Sequence, residues 1–331
     1  MAVTAVARVA FAGDCGGSGS SKAPKVAAAI NAAFGRFATP TQTWLVIGGD
    51  EYTWCSTQTM KNYDRYLTQK NISAARTVMT PGNHTNGPGG SANTPDVRAW
   101  LAYNQAKATL SNTTGGWIDQ SHGIPLTDQY LDIGGIRFII INSGGAINAR
   151  PGWPIPLTGG SVAGNARVAW LRSVWKPGTA NVVVTHHPRY AYYGGPFDNP
   201  TMANLINEML GANDGTGPHS PLILHGHTHN MQLMKPQFGG GSFPGIVTAI
   251  IGLCSTAPVT RTPPTGNTSQ KSWLQFANLA SGGCGFLQID IMSDGSLQLS
   301  VIDASDTSGK LMTNTPSTGV TGPATMIINT A

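Results

Sequence analysis

The chain reads as an α/β protein, and three features of its sequence say so. Short apolar, β-branched runs bounded by Gly, Pro or Asp recur along it. Segments whose apolar residues fall at helical spacing separate many of these runs, and near the C-terminus strict alternation takes over. Strands and helices in alternation imply layers around a largely buried sheet.

Residues 5–12 form the first apolar run, and residues 22–37 follow at helical spacing behind Ser21, a candidate N-cap. Strand-like residues 44–47 precede a helical segment at 57–69 and a short run at 75–79. Residues 96–110 are again helical in spacing, capped by Thr94 or Asp96, ahead of a buried run at 138–142. The second half continues with a helix at 165–175, a strand at 182–185, a helix at 201–210 and a strand at 222–224. Residues 285–292 and 297–302 alternate with period two around Ser293-Asp294-Gly295 and predict an antiparallel hairpin. Residues 308–331 are polar and rich in Gly, Pro and Thr, so an irregular tail is expected there. No linker divides the chain, and residues 1–307 are expected to form one domain.

Composition narrows the function classes. Gly (42) and Pro (22) make up nearly a fifth of the 331 residues without the period of a collagen, which points to a loop-rich globular fold. Charged residues are only 11%, against about 25% in an average soluble chain, and the only glutamates are Glu51 and Glu208, which excludes coiled coils and helices laced with ion pairs. The net charge of +5 is scattered singly, so no nucleic-acid-binding module is evident. No apolar run approaches the roughly 18 residues of a membrane span, and no signal peptide is visible at the start. Low charge, abundant Thr, Ser and Asn, and four cysteines without CxxC spacing favour an extracytoplasmic protein, secreted or virion-associated. Disulfides Cys15–Cys55 and Cys254–Cys284 and a set of free buried thiols both remain open.

The chemistry sits just after the strands. The first ends in Gly13-Asp14-Cys15-Gly16, the second in Gly49-Asp50-Glu51-Tyr52, and the third in Gly82-Asn83-His84. Later strands end in Thr185-His186-His187-Pro188 and His225-Gly226-His227-Thr228-His229. Open α/β sheets bind ligands at the C-terminal ends of their strands, and six of the eight histidines fall in these blocks. His227 and His229, at period two, point the same way on an extended segment. Carboxylates, an amide oxygen and imidazoles together suit Zn, Mn or Fe rather than Cu(I) or an iron–sulfur cluster. His187 and His225 neighbour ligand candidates but on a strand point the other way, and they read as packing groups or as groups that support the ligands from behind.

The ordered blocks resemble those of the calcineurin-like metallophosphoesterase superfamily, and within it those of the purple acid phosphatases: GDxG, GDxxY, GNH, VxxH and GHxH. The resemblance spans about residues 8–302 and implies a four-layer αββα sandwich of two mixed β-sheets flanked by helices. It implies two metal ions, Fe, Zn or Mn. Asp14 and His229 would hold the first, Asp50 would bridge both, and Asn83, His186 and His227 would complete the second. The family tyrosine belongs three residues after the bridging Asp, where Thr53 stands. The wider superfamily's His two residues after the first Asp is Gly16 here, so the first metal either has fewer protein ligands than in both patterns or takes Tyr52 through a shifted turn.

By the same resemblance the protein is a phosphoric ester hydrolase, with a hydroxide held by the metals as nucleophile and His84 as general acid. A small phosphomonoester is the expected substrate, with Arg189, Tyr190 and Tyr193 along one rim of its cleft. A phosphodiesterase acting on cyclic nucleotides or similar diesters uses the same chemistry. An inactive binding or virion surface protein that retains the fold is the reading of another class.

Overall fold

The computed structural model describes residues 2–14, 22–50, 64–80, 82, 114–119, 124–141, 143, 170, 173–176, 180–188, 190–193, 222–235, 247–251, 273–279 and 283–329. In its first half these residues form β1 (Ala5–Ala12), helix α1 (Lys22–Gly35), β2 (Thr43–Ile47), β3 (Thr77–Met79), β4 (Thr114–Asp119), β5 (Ile124–Ile133) and β6 (Ile136–Ile141). The second half holds β7 (Asn181–Thr185), β8 (Leu222–His225), β9 (Met231–Met234), β10 (Val247–Ile251), β11 (Leu274–Asn278), β12 (Gly285–Met292), β13 (Leu297–Asp303) and β14 (Thr325–Ile328).

Two mixed sheets result. The smaller runs β14-β13-β12-β1-β2-β3 and the larger β11-β9-β10-β8-β7-β6-β5-β4. In the first, β1, β2 and β3 are parallel; in the second, β6, β7 and β8 are. Their C-terminal ends therefore lie along a common edge in each sheet, and these are the ends that carry the Asp and His blocks.

Alternation explains the layering. Ala7, Val9 and Phe11 of β1, with Leu287, Ile289 and Ile291 of β12, pack against Phe138, Ile140, Val182, Val184, Leu222 and Leu224 of the larger sheet. Each is nearly inaccessible to water, and truncating one such phenylalanine costs about 3–5 kcal/mol. The intervening residues Ala10, Ala12 and Phe286 face the other way and meet Val26, Ala27, Ile30 and Phe34 of α1. Val26 and Ala27 stand four and three residues before Ile30, and Phe34 four after it, so the four form one stripe. The result is an α/β sandwich of two mixed sheets, the class that the sequence predicts.

Several elements differ from expectation. The run at 75–79 opens with a 3-10 turn over Ala74–Arg76 before β3 begins. Residues 308–331 are not wholly irregular, because β14 pairs with β13 from Leu297↔Ile328 to Ser300↔Thr325. Met326 and Ile328, two apart, enter the core between the sheets, and their burial outweighs the Gly, Pro and Thr around them. Strands β4, β5, β9, β10 and β11 were not anticipated. The helices expected at 96–110 and 201–210 lie outside the described residues.

Candidate metal centre

The ends of β1 and β2 are joined by backbone bonds, Gly48 N to Ala12 O (2.7 Å) and Asp14 N to Gly49 O (2.9 Å). Gly226 N, just past β8, donates to His186 O, just past β7, at 3.0 Å. Glycine makes the approach between the two sheets close. A Cβ on Gly226 would lie 2.7 Å from Asp14 Oδ2 and 3.0 Å from Gly48 O, and one on Gly82 would fall on the Asp50 carboxylate.

Asp14 and Asp50 are 2% and 6% exposed, and His186 is fully buried. One oxygen of each carboxylate and one ring nitrogen of His186 lie within 4.8 Å of one another. His186 Nε2 is 3.1 Å from Asp50 Oδ2, and its Nδ1–H donates to Gly48 O at 2.8 Å. That second bond fixes the tautomer and frees Nε2 to bind a metal. His229 Nε2 stands 3.6 Å from Asp14 Oδ1, and His227 N donates to Asp14 Oδ2 at 2.7 Å. The His227 and His186 rings are 5.2 Å apart.

The backbone is strained at these residues. Asp14 (φ 58°), Asp50 (φ 54°), His227 (φ 73°) and His229 (φ 53°) are the non-glycine residues with positive φ among the described residues. Such conformations cost about 1–3 kcal/mol each and persist only where the surroundings enforce them. All four are ligand candidates.

Charge is equally frustrated. Burial pushes the Asp14 carboxyl up to about 6, helped by Asp50 and opposed by His186 and His229. Burial works to lower His186, but the Asp50 carboxylate beside it prevails and raises it to about 9. Asp14 Oδ1 is buried and accepts no hydrogen bond.

These residues fit metal ions. Oxygen and nitrogen bound to one tetrahedral zinc through bonds of about 2.0–2.2 Å would stand roughly 3.4 Å apart, near the Asp14–His229 separation and beyond a hydrogen bond. An ion beside Asp14 would also satisfy the orphan oxygen.

Five of the expected site residues, Asp14, Asp50, His186, His227 and His229, come together at the ends of β1, β2, β7 and β8. Asn83, His84, Tyr52 and Arg189 lie outside the described residues. Tyr190 and Tyr193, expected along a cleft rim, are 5% and 6% exposed and pack with Tyr192, Met234, Leu274 and Ala277.

His187 requires a correction. Its ring does not point away: it lies 4.5 Å from the His227 ring and 4.9 Å from that of His186. Strand β7 stops at Thr185, so side-chain alternation no longer applies beyond it, and the following Pro188 was the available signal. The Ser143 hydroxyl accepts from His186 N (3.1 Å) and His187 N (3.0 Å), and it lies 3.1 Å from His187 Nδ1. With both lone pairs in use, the hydroxyl gives its proton to Nδ1, which leaves the hydrogen on Nε2. His187 is thereby a donor beside the site and not a further ligand. Burial, then His227 and His186, hold it neutral, with its pKa well below the ordinary value. His225 does face away from the core between the sheets. Thr185 Oγ1 donates to His187 O (3.0 Å) and so accepts from His225 Nδ1 (2.7 Å).

Cys284 is a free buried thiol, so no Cys254–Cys284 bridge forms in this structure. Among the described residues no helix is long and apolar enough to cross a membrane.

The profile of the family described as calcineurin-like phosphoesterase matches residues 7–231. The structure resembles GAP50, the anchor in the inner membrane complex of Plasmodium, at 15% identity and TM-score 0.59, over 99% of this chain and 90% of that one. It also resembles the purple acid phosphatase PPD1 from yellow lupin (Lupinus luteus) seeds, at 15% identity and TM-score 0.59 over 97% of this chain. That match spans 56% of the lupin protein, little more than half its length. PhoD aligns at 13% identity and TM-score 0.56, over 94% of this chain and 69% of that one. At these identities the likeness concerns the fold. A search of the curated proteins found no match.

Proposed function

The chain belongs to the calcineurin-like phosphoesterase family, and from that premise we propose that it is a phosphomonoesterase with a dinuclear metal centre. The observation that carries the reading is the meeting of Asp14, Asp50 and His186 with His227 and His229 beside Asp14, and with Asp14 Oδ1 buried and without a hydrogen bond.

Each residue has a part. Asp50, next to both Asp14 and His186, would be shared by the two ions. His229 and Asp14 would hold one of them, and His186 and His227 the other, with Asn83 carried over by resemblance. The ions, when bound, supply activation of a water and the positive charge that phosphoryl transfer requires. His229, with 27% of its side chain exposed, marks the side from which substrate arrives. His84 protonates the leaving oxygen, the general-acid part that the resemblance assigns to it. Arg189 and Tyr52 are proposed beside the substrate and the first metal respectively. The ions are Fe, Zn or Mn, and the protein acts outside the cytoplasm.

Metal content of the purified protein, measured with turnover of p-nitrophenyl phosphate and bis-p-nitrophenyl phosphate, tests this. Two equivalents of metal and faster cleavage of the monoester support it. Faster cleavage of the diester would shift the assignment to a phosphodiesterase. The likeness to GAP50 and the replacement of the family tyrosine by Thr53 favour one other reading, a binding protein. Intact folding without turnover of either ester would establish that reading instead.

A further inference from the structure

The loop that presents His227 and His229 is held by three side chains two residues apart. Thr228, Asn230 and Gln232 are each fully buried. Thr228 Oγ1 donates to Asn230 Oδ1 (3.0 Å), and Asn230 Nδ2 donates to Tyr193 O (3.1 Å). Gln232 Nε2 donates to Asn230 Oδ1 (2.7 Å) and Tyr193 O (2.9 Å), while its Oε1 accepts from Tyr192 N (3.0 Å) and Tyr193 N (3.1 Å). Two backbone N–H donors at one amide atom identify that atom as oxygen, so the orientation of Gln232 is settled by its partners. All four of its bonding positions are in use.

This ladder has an energetic reason to exist. Thr228 stands between two histidines whose backbones are left-handed, and strained residues keep such conformations only when neighbours over-determine them. The backbone bond from Thr228 N to Gly226 O (3.0 Å) restrains one side of the turn. The hydroxyl bond to Asn230 restrains the other, and Gln232 anchors Asn230 to residues 192–193. Burial in a low-dielectric interior strengthens each bond and makes loss of a member costly.

We propose that Thr228, Asn230 and Gln232 are positioning residues for the metal ligands His227 and His229. They act through the loop backbone and touch neither substrate nor ion. The inference rests on the metal reading above, so its test must fail separately from that reading.

Zinc affinity is measured by competition with a chromophoric chelator for the parent, Thr228→Val, Thr228→Ser, Gln232→Leu and His229→Ala, with Tm recorded for each. Thr228→Val keeps shape and removes the donor. It should weaken zinc binding about tenfold or more, the range seen when partners behind a ligand are removed. Its Tm should fall by no more than one lost buried hydrogen bond explains, because Asn230 Oδ1 keeps its bond from Gln232 Nε2 and the relaxed loop gives up strain. Thr228→Ser, which retains the hydroxyl, should bind as the parent does, and Gln232→Leu should lose affinity at least as far as Thr228→Val. Parental affinity in Thr228→Val or Gln232→Leu, or an equal loss in Thr228→Ser, overturns the proposal. Parental affinity in His229→Ala overturns the metal reading instead.

Discussion

The closing hairpin and the metal-ligand loops meet the same backbone problem with different residues. Strands β12 and β13 pair without a break from Gly285↔Asp303 to Ile291↔Leu297, and the left-handed position in their turn is Gly295 (φ 85°). Asp294 caps that turn by accepting from Ser296 N and Oγ. At the ends of β1, β2 and β8 a glycine takes one such position, Gly49 (φ 93°), but four others are held by Asp14, Asp50, His227 and His229. Glycine adopts that region without steric cost, but it has no side chain to offer a metal. Where a turn only reverses the chain the strain is removed; where the turned residue must bind, the strain stays.

The comparison breaks if the strained residues prove dispensable. Asp50→Asn should show the largest effect: zinc affinity and phosphatase turnover should both fall more than ~100-fold, beyond the loss that partners behind a ligand produce. Retention of either by the folded variant would remove the reason for a left-handed Asp. Gly82→Ala comes next. Its new methyl would fall on the Asp50 carboxylate and backbone nitrogen, so zinc affinity should fall about tenfold or more in a titration. Gly295→Ala places the same methyl in the left-handed hairpin turn and should lower stability by about 1–2 kcal/mol with zinc binding unchanged.

Two smaller effects sharpen the contrast. His229→Gly removes a partly exposed ligand and its backbone strain together, so the metal-free variant should unfold at or slightly above the parent's temperature, by up to about 1 kcal/mol of stability. A clear drop in Tm would show that the loop is not strained.

The other is a pH dependence. An unfolded Asp carboxyl titrates near 3.9, whereas Asp14 in the metal-free fold titrates at about 6. Its contribution to stability is therefore full below about 3.9 and is lost as pH rises through about 6. Asp14→Asn should flatten the metal-free stability profile over that window. Zinc affinity runs the other way, rising across the same window because the ligand must be deprotonated. A parental profile identical to that of Asp14→Asn would contradict the shift.

Much of the site was legible in the sequence because its residues follow strand ends that announce themselves. β1, β2, β7 and β8 are apolar runs closed by Gly or His, and parallel strands place such closures along one edge. The hairpin was legible for a related reason: its alternation and its Asp294-Gly295 turn agree. What was missed depends on long-range packing. β9, with the sequence Met231-Gln232-Leu233-Met234, shows no polar face because both its faces are buried. The side of the sheet that His187 occupies depends on where β7 stops, and periodicity alone does not set that end. Tyr190 and Tyr193 neighbour a ligand block in sequence, yet their rings fill an apolar cluster over β9 and β11.

Anomalous diffraction from crystals grown with zinc or manganese tests the central claim most directly. The account predicts strong peaks within bonding distance of Asp14, Asp50, His186, His227 and His229. A well-ordered crystal with the metal bound elsewhere, or with no peak among these five side chains, would contradict it.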